Sequence, residues 1–205
     1  ARDKAVLIVA YTHGQPAQPS TFGHYLGAVI EVLGRDIDRL QEAYGIVDQS
    51  PMGAAAITTS GFPIDRERVA QLLGFAAPLQ NSYSCIAAVD YVTATYGAIE
   101  LMFLHLGRPI QDLQVWSSFE VGQLYVPNAL VQISSIMPQK RNPDAAELIR
   151  AKASLITGLY TSLQGAVKAL PLAYAKDLQD DKRLTFEAFD TYNLCIRAMT
   201  GMIET

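Results

Sequence analysis

Charged residues are scarce in this chain. Asp, Glu, Lys and Arg make up 18% of its 205 residues, against about 25% in typical soluble domains. The 16 basic residues are outnumbered by 20 acidic ones, and the formal net charge is -4. Because no excess of positive charge is present, we expect neither a nucleic acid nor an anionic membrane surface as a partner.

Cysteine is scarcer still, with only Cys85 and Cys195. They lie far apart and show no CxxC or Cys/His spacing, so neither a disulfide framework nor a zinc site is indicated. A reducing, cytoplasmic location fits this usage best. The uncharged helical stretch of residues 153–167 is shorter than the roughly 20 residues that span a bilayer, and we expect no transmembrane segment.

Hydrophobic residues make up 50% of the chain, more than one compact monomer of this size ordinarily buries. The length corresponds to one large or two small domains. We expect a helical-bundle domain over residues 1–170 and, over residues 171–205, the end of the bundle and the start of a C-terminal region. The chain opens without an initiator Met and stops inside a helical pattern, so we expect a piece of a longer protein.

A helical period dominates the sequence, and strand signals are few. We predict helices over residues 21–44, 65–73, 83–106, about ten residues ending near 116, 143–170 and 180–202. Gly45 and Gly74 are predicted to end the first two, and Gly107 with Pro109 to separate the third from the fourth. The segment 83–106 is nearly free of charge and is expected in the middle of an all-α bundle.

Polar side chains gather just before the first predicted helix, in residues 11–19. Thr12, His13 and Gln15 lie among prolines and a glycine, and a rigid loop would present them in a fixed geometry. The alternative is ordinary turn chemistry, with His13 as a capping residue.

A second polar group, residues 134–144, ends at the predicted start of the helix at Pro143. Backbone amides at a helix N-terminus attract anions, and Lys140 and Arg141 add positive charge, so the segment suits a small dicarboxylate as a ligand. The alternative is a solvated basic turn capped by Asn142. Ser134 lacks a GxSxG elbow, and a hydrolase is therefore not indicated.

A third polar group, residues 174–182, follows the predicted helix stop at Pro171. Its charges alone favour a solvated helix start. Tyr174 and Gln179, which lie among those charges, are less easily explained in that way.

The three groups together resemble those of one enzyme superfamily. Residues 134–143, Ser-Ser-Ile-Met-Pro-Gln-Lys-Arg-Asn-Pro, closely resemble the signature loop of the fumarase/aspartase superfamily of fumarate-releasing lyases. Residues 12–19 and 170–182 narrow the resemblance to the argininosuccinate lyases, as do residues 62–66, Phe-Pro-Ile-Asp-Arg, and residues 116–118, Trp-Ser-Ser. The resemblance covers nearly the whole chain in the expected order.

The resemblance implies a fold, an assembly and a reaction. The fold is a long-helix bundle of the fumarase/aspartase type, in a homotetramer whose active sites are shared between subunits. The reaction is β-elimination of argininosuccinate, a small dicarboxylate, to arginine and fumarate, without a metal or an organic cofactor.

The resemblance also implies roles for single residues. Ser134 is the general base that removes the Cβ proton, and Lys140 stabilises the resulting carbanion. His13 acts near the leaving nitrogen or helps to orient groups, with Glu147 as its carboxylate partner. The substrate-binding positions it implies are Thr12 and Asn142 for the fumarate half and Tyr174, Gln179 and Lys182 for the arginine half.

Several positions depart from the pattern of argininosuccinate lyases. Gln132 and Ile133 stand where a Gly usually precedes the serine pair, Arg141 where Lys is common, and Ala175 where Asn is common. One alternative is therefore a related carbon-nitrogen lyase acting on another N-substituted aspartate, such as ethylenediamine-disuccinate lyase. Another is a non-catalytic structural protein like the lens crystallins of this fold. The upstream region of such enzymes carries further carboxylate-binding residues, so this stretch alone is expected to be inactive.

Overall fold

Four long helices dominate the computed structural model, which describes residues 3–204. They are α1 (Phe22–Val47), α4 (Asp90–Trp116), α5 (Asp144–Val167) and α6 (Asp181–Glu204). The shorter elements are β1 (Leu7–Thr12), β2 (Gln15–Thr21), β3 (Gln49–Ser50), α2 (Arg66–Leu73), β4 (Ala77–Pro78), α3 (Ser84–Ala87), β5 (Gln132–Ile133) and β6 (Arg141–Asn142). The predicted long-helix class is confirmed. Residues 1, 2 and 205, the outer ends of the predicted domains, lie outside the described part.

The described residues group into two compact units. The first unit combines the chain up to Ile37 with Leu101–Leu155 and the residues from Tyr192 onward, and the second combines Asp38–Glu100 with Ile156–Thr191. Each has its own buried side chains, with Phe103, Leu106, Ile110, Trp116 and Ile149 in the first and Tyr96, Ile99, Ile156, Leu163 and Ala188 in the second. The predicted domain boundary at residue 170 stays a prediction.

A β-hairpin occupies the segment, residues 11–19, for which we expected a rigid loop; only the two turn residues between β1 and β2 are a loop, so the predicted extent of the loop is wrong. β1 and β2 pair in antiparallel register from Leu7 opposite Thr21 to Thr12 opposite Gln15, with a bulge between Ala10 and Tyr11. The two turn residues, His13 and Gly14, have φ angles of 55° and 71°. Positive φ at both positions is the type I′ turn that matches the twist of a two-residue hairpin.

Helix α4 runs through the point where we predicted a break. Gly107 and Pro109 lie inside it, although a proline in a helix interior removes one backbone hydrogen bond and costs about 3 kcal/mol. Leu106, Ile110 and Trp116 on the same helix are buried. Burial of several such side chains outweighs the local cost, since each contributes about 1.5–3 kcal/mol.

The ends of α2 follow their local signals. The Asp65 side chain accepts a hydrogen bond from the Arg68 amide at 2.9 Å, and Gly74 adopts the left-handed conformation with φ 81°. By contrast, α1 continues past Gly45 to Val47, and α5 begins one residue after Pro143, whose carbonyl accepts the first helical bond from the Ala146 amide.

No helix within residues 3–204 combines the length and the hydropathy needed to cross a bilayer.

Candidate active site

The hairpin presents Thr12 and His13 at its tip in the first unit, and both side chains are exposed. The root of β1 is fixed by Ile8, which is buried. Val9, the next residue of β1, is bonded to the side chain of Gln123. The Val9 amide donates to Gln123 Oε1, and Gln123 Nε2 donates to the Val9 carbonyl at 3.2 Å. The side-chain amide of Gln123 thereby satisfies both backbone hydrogen-bonding groups of Val9.

The loop that carries the serine pair is closed at its base by strands β5 and β6. Gln132 pairs with Asn142 and Ile133 with Arg141 in antiparallel register. With its amide nitrogen facing Asp144, Gln132 also donates to both oxygens of that carboxylate, at 2.6 and 3.2 Å. This bond ties the loop to the first turn of α5.

Ser134 is half-buried at the start of this loop. Its Oγ lies 3.4 Å from the backbone nitrogen of Ile136 and 3.3 Å from that of Met137, and it accepts a hydrogen bond from each. Hydrogen bonds donated to an oxygen favour its negatively charged form. Two such amides would stabilise an alkoxide at Ser134, which a serine hydroxyl needs if it is to serve as a base.

A cavity of about 580 Å³ adjoins the loop in the first unit, and Lys140 lines it together with Ser117, Ser118 and Gln139. Its volume falls in the usual range of small-molecule sites, about 300–1,000 Å³. The lining contains hydroxyl, amide and ammonium groups beside apolar side chains such as Leu124 and Met137, and Lys140 is the only predicted site residue in it. An ammonium group and amide N–H groups are donors that suit a carboxylate. Arg141 also lines the cavity, but its guanidinium is held by other protein groups: Asn128 Oδ1, the Val126 carbonyl and the ring of Tyr125 at 4.6 Å.

Glu147 lies in the first turn of α5 and is exposed. Its Oε1 accepts a hydrogen bond from Gln114 Nε2 at 3.0 Å. The expected pairing of Glu147 with His13 stays a prediction. Among residues 3–204, no three His, Cys, Asp or Glu side chains are grouped so that they could hold a metal ion.

The second unit contains the three residues expected to bind the arginine half of the substrate. Tyr174 precedes a turn of 3₁₀-helix, Lys176–Gln179, which ends on Gln179, and Lys182 follows in the first turn of α6. All three side chains are exposed. They lie within nine residues of one another along the chain.

Comparison with known proteins places this geometry in a family. The family model described as Lyase matches residues 1–158. The chain belongs to this lyase family. It is 68% identical over 203 residues to argininosuccinate lyase 2 of Agrobacterium fabrum, covering 98% of this chain and 40% of that protein. Against argininosuccinate lyase of Hyphomonas neptunium it is 54% identical over 201 residues, covering 98% and 43%.

Solved structures agree with this family assignment. An EDDS lyase in complex with formate superposes with a TM-score of 0.90 at 32% identity, covering 97% of this chain and 39% of that one. A class II fumarase from Schistosoma mansoni shows the same fold, with a TM-score of 0.76 at 19% identity over 94% of this chain and 45% of that one. The resemblance found in the motifs is thus confirmed. The chain spans about two fifths of the length of the curated relatives it matches.

Some contacts in this chain could not be anticipated from its motifs. Gln114 bonds to Glu147, 33 positions away in the chain, and Gln123 bonds to Val9, 114 positions away. No local sequence pattern predicts such long-range hydrogen bonds. The hairpin did have a signal, because residues 7–10, Leu-Ile-Val-Ala, form an apolar run that is followed by Tyr-Thr and a His-Gly turn.

Proposed function

We propose that the full-length protein containing this chain is an argininosuccinate lyase that eliminates fumarate from argininosuccinate and releases arginine. The observation that carries this proposal is the 68% identity to argininosuccinate lyase 2 of A. fabrum over 98% of the chain. Two thirds identity over the whole stretch leaves little room for a different reaction class at the motif residues. The geometry around Ser134 and Lys140 supports it.

The proposed elimination begins at Ser134. Its ionised Oγ takes the proton from the substrate Cβ, and the electron pair left behind spreads into the neighbouring carboxylate. The Ile136 and Met137 amides, 3.4 and 3.3 Å from Oγ, stabilise the charge before transfer, and the Lys140 ammonium stabilises it afterwards. The electron pair then forms the carbon-carbon double bond as the bond from Cα to nitrogen breaks.

The leaving nitrogen needs a proton, which we assign to His13 as general acid with Glu147 as its carboxylate partner. Thr12 and Asn142 bind the carboxylates of the fumarate half. The groups proposed for the arginine half are Tyr174, Gln179 and Lys182.

A spectroscopic assay tests the proposal. The full-length protein, incubated with argininosuccinate, is expected to release fumarate, which absorbs in the ultraviolet. Ser134→Ala should lower kcat by about 10²–10⁴-fold, the range for loss of a general base. Ser135→Ala is the matched control, because it removes the same hydroxyl from the exposed neighbouring position; it should retain most of the activity.

Other outcomes would redirect the proposal. If the protein releases no fumarate from argininosuccinate but releases it from ethylenediamine disuccinate, the second candidate function, an ethylenediamine-disuccinate lyase, is favoured. The TM-score of 0.90 and the 32% identity to EDDS lyase support this second candidate. Failure on every N-substituted aspartate would favour a structural protein of this fold. Equal loss of activity in Ser134→Ala and Ser135→Ala would remove Ser134 from its proposed role.

We place the full-length protein in the cytoplasm as a homotetramer whose active sites are shared between subunits. The supporting observation is the large number of exposed apolar side chains on long helices, such as Ile30 at 67%, Leu148 at 59% and Leu194 at 64% exposure. Apolar surface of this extent in a soluble protein usually marks an interface. In the longer chain, the proposed bundle domain includes residues 1–170, and residues 171–205 begin the C-terminal region.

A further inference from the structure

Gln114 of α4 is bonded to the carboxylate of Glu147 in α5, and both residues belong to the first unit. Gln114 Nε2 donates to Glu147 Oε1 at 3.0 Å, and within residues 3–204 this is the only hydrogen bond that the Glu147 side chain makes. Gln114 is half-buried, whereas Glu147 is exposed. The bond therefore runs from the interior of the unit to a carboxylate on its surface.

The surroundings of Gln114 do not favour an amide. Gln114 lines a cavity of about 250 Å³ in the first unit, and apart from Asp3 the other described residues along this cavity are hydrophobic, such as Leu106 and Pro143. The second polar atom of the Gln114 amide, Oε1, is buried and accepts no hydrogen bond in the described part of the chain. An unpaired buried acceptor destabilises the folded state, and an apolar side chain of the same size would avoid this cost.

The orientation of the Gln114 amide is determined by Glu147. With the amide turned over, Gln114 Oε1 would face a carboxylate oxygen, and neither of these two acceptors could donate to the other. The observed orientation gives Glu147 a donor and leaves Gln114 Oε1 unpaired. Buried polar groups without partners are few in native proteins, and departures of this kind occur mainly at functional sites. Gln114 thus provides a hydrogen bond to Glu147 although it lowers the stability of its own surroundings.

The bond restricts a side chain that would otherwise be mobile. An exposed glutamate on a helix ordinarily moves among several rotamers. The donation from Gln114 fixes Oε1 of Glu147 and leaves Oε2, which has no hydrogen bond within residues 3–204, for another donor. A carboxylate held in this way can orient an imidazole through its second oxygen. The same holds whichever subunit of the assembly supplies the imidazole.

We infer that Gln114 is a positioning residue, which holds the Glu147 carboxylate in the orientation that its partner imidazole requires. The inference rests on the proposed function, in which Glu147 is the carboxylate partner of the general acid. Gln114 acts through Glu147 and does not need to contact the substrate. Its loss should therefore slow the chemical step more than it weakens substrate binding.

Steady-state kinetics and thermal unfolding of the full-length protein test the inference together. Gln114→Met keeps the length of the side chain but removes the donor. It should lower kcat about 10-fold, the loss expected for one hydrogen bond to a charged group, while KM changes less than about threefold. Because Gln114→Met also removes the unpaired Oε1, its Tm should equal or exceed that of wild type. Gln114→Glu has the same shape but places a second carboxylate against Glu147, and it should lower both kcat and Tm.

Gln111→Met is the matched control. Gln111 lies one turn before Gln114 on α4, and its Oε1 accepts a hydrogen bond from Arg150 Nη1 of α5. The variant therefore removes a bond between the same two helices without changing the partner of Glu147. It should leave kcat and KM unchanged.

A double-mutant cycle separates an effect through Glu147 from any other effect. In the Glu147→Gln background, Gln114→Met should change kcat less than about twofold, because the carboxylate that Gln114 holds is already absent. An equal loss of kcat in both backgrounds would overturn the inference. So would an unchanged kcat in Gln114→Met, a rise in KM alone, or a fall of kcat together with Tm, because these results would make Gln114 dispensable, part of substrate binding, or structural.

Crystal structures of the full-length protein provide a readout independent of turnover. In wild type the Glu147 carboxylate should occupy one conformer against Gln114, and in Gln114→Met it should spread over several. A Glu147 side chain that keeps its place in Gln114→Met would overturn the inference. If the wild-type protein releases fumarate from no N-substituted aspartate, the proposed lyase activity is wrong, and these structures alone decide whether Gln114 holds the carboxylate.

Discussion

Tyr96 connects three helices of the second unit through one side chain. It lies on α4, is only 1% exposed, and its hydroxyl donates to the Leu184 carbonyl of α6 at 2.9 Å. Its ring stacks on Tyr160 of α5, with centroids 5.4 Å apart and planes at 11°. Burial, reinforced by the charge of Glu187, raises the pKa of Tyr96, so the hydroxyl stays protonated and remains a donor.

Two substitutions separate the hydroxyl from the ring. Tyr96→Phe removes one buried hydrogen bond and keeps the stacking. Leu184 lies inside α6, where the helical pattern gives its carbonyl a second donor, so the cost should stay near the usual net value of about 1 kcal/mol, or about fivefold in the opening equilibrium. Tyr96→Leu also removes the ring pair, which is worth about 0.5–1.5 kcal/mol more.

Native-state hydrogen exchange measures this cost, because protection of a helix reports the free energy of its local opening. In the full-length protein, Tyr96→Phe should speed exchange about fivefold in residues 181–191, and Tyr96→Leu should speed it further and extend the effect to residues 156–163. Tyr44→Phe, the same change at a 68% exposed position, is the control. Exchange equal to wild type in Tyr96→Phe, or an equal effect in the control, would refute the reasoning.

Two further predictions concern the assembly and the cysteines. The full-length protein should show the mass of a tetramer in light scattering, because its exposed apolar helix surfaces need partners; a monomeric mass would contradict this. Burial raises the pKa of the Cys195 thiol, and the thiolate is the reactive form, so iodoacetamide at pH 8 should label half-buried Cys85 before Cys195. Prompt labelling of Cys195 in the folded protein would show that its surroundings are not those described.

Local signals predicted those parts of the fold that local interactions determine. Asp65 and Gly74 act on their own helix ends, so α2 could be located within one residue. The path of α4 through Pro109 could not be predicted, because the burial that offsets the missing hydrogen bond involves side chains from distant parts of the chain. Gly45 misled for the same reason: a glycine permits a helix end, but does not require one.

The candidate site shows the same division. Residues 134–143 could be matched to a superfamily signature because that motif is contiguous in the sequence, and the roles proposed for Ser134 and Lys140 follow from this resemblance. The attachments that hold this loop and the hairpin were not predictable, since Gln123 is an unremarkable polar residue in the sequence and becomes informative only when Val9 lies against it. The type of a residue indicates which chemistry its side chain can perform more readily than which distant residues it holds in place.

The left-handed backbone at His13 affects how any mutational scan of this protein should be interpreted. With φ at 55°, position 13 penalises β-branched and bulky replacements through the backbone, whatever becomes of the imidazole. Asn is among the residues that tolerate this conformation best. His13→Asn is therefore the substitution that isolates the ring chemistry, whereas Val or Ile at this position would report mainly on the turn.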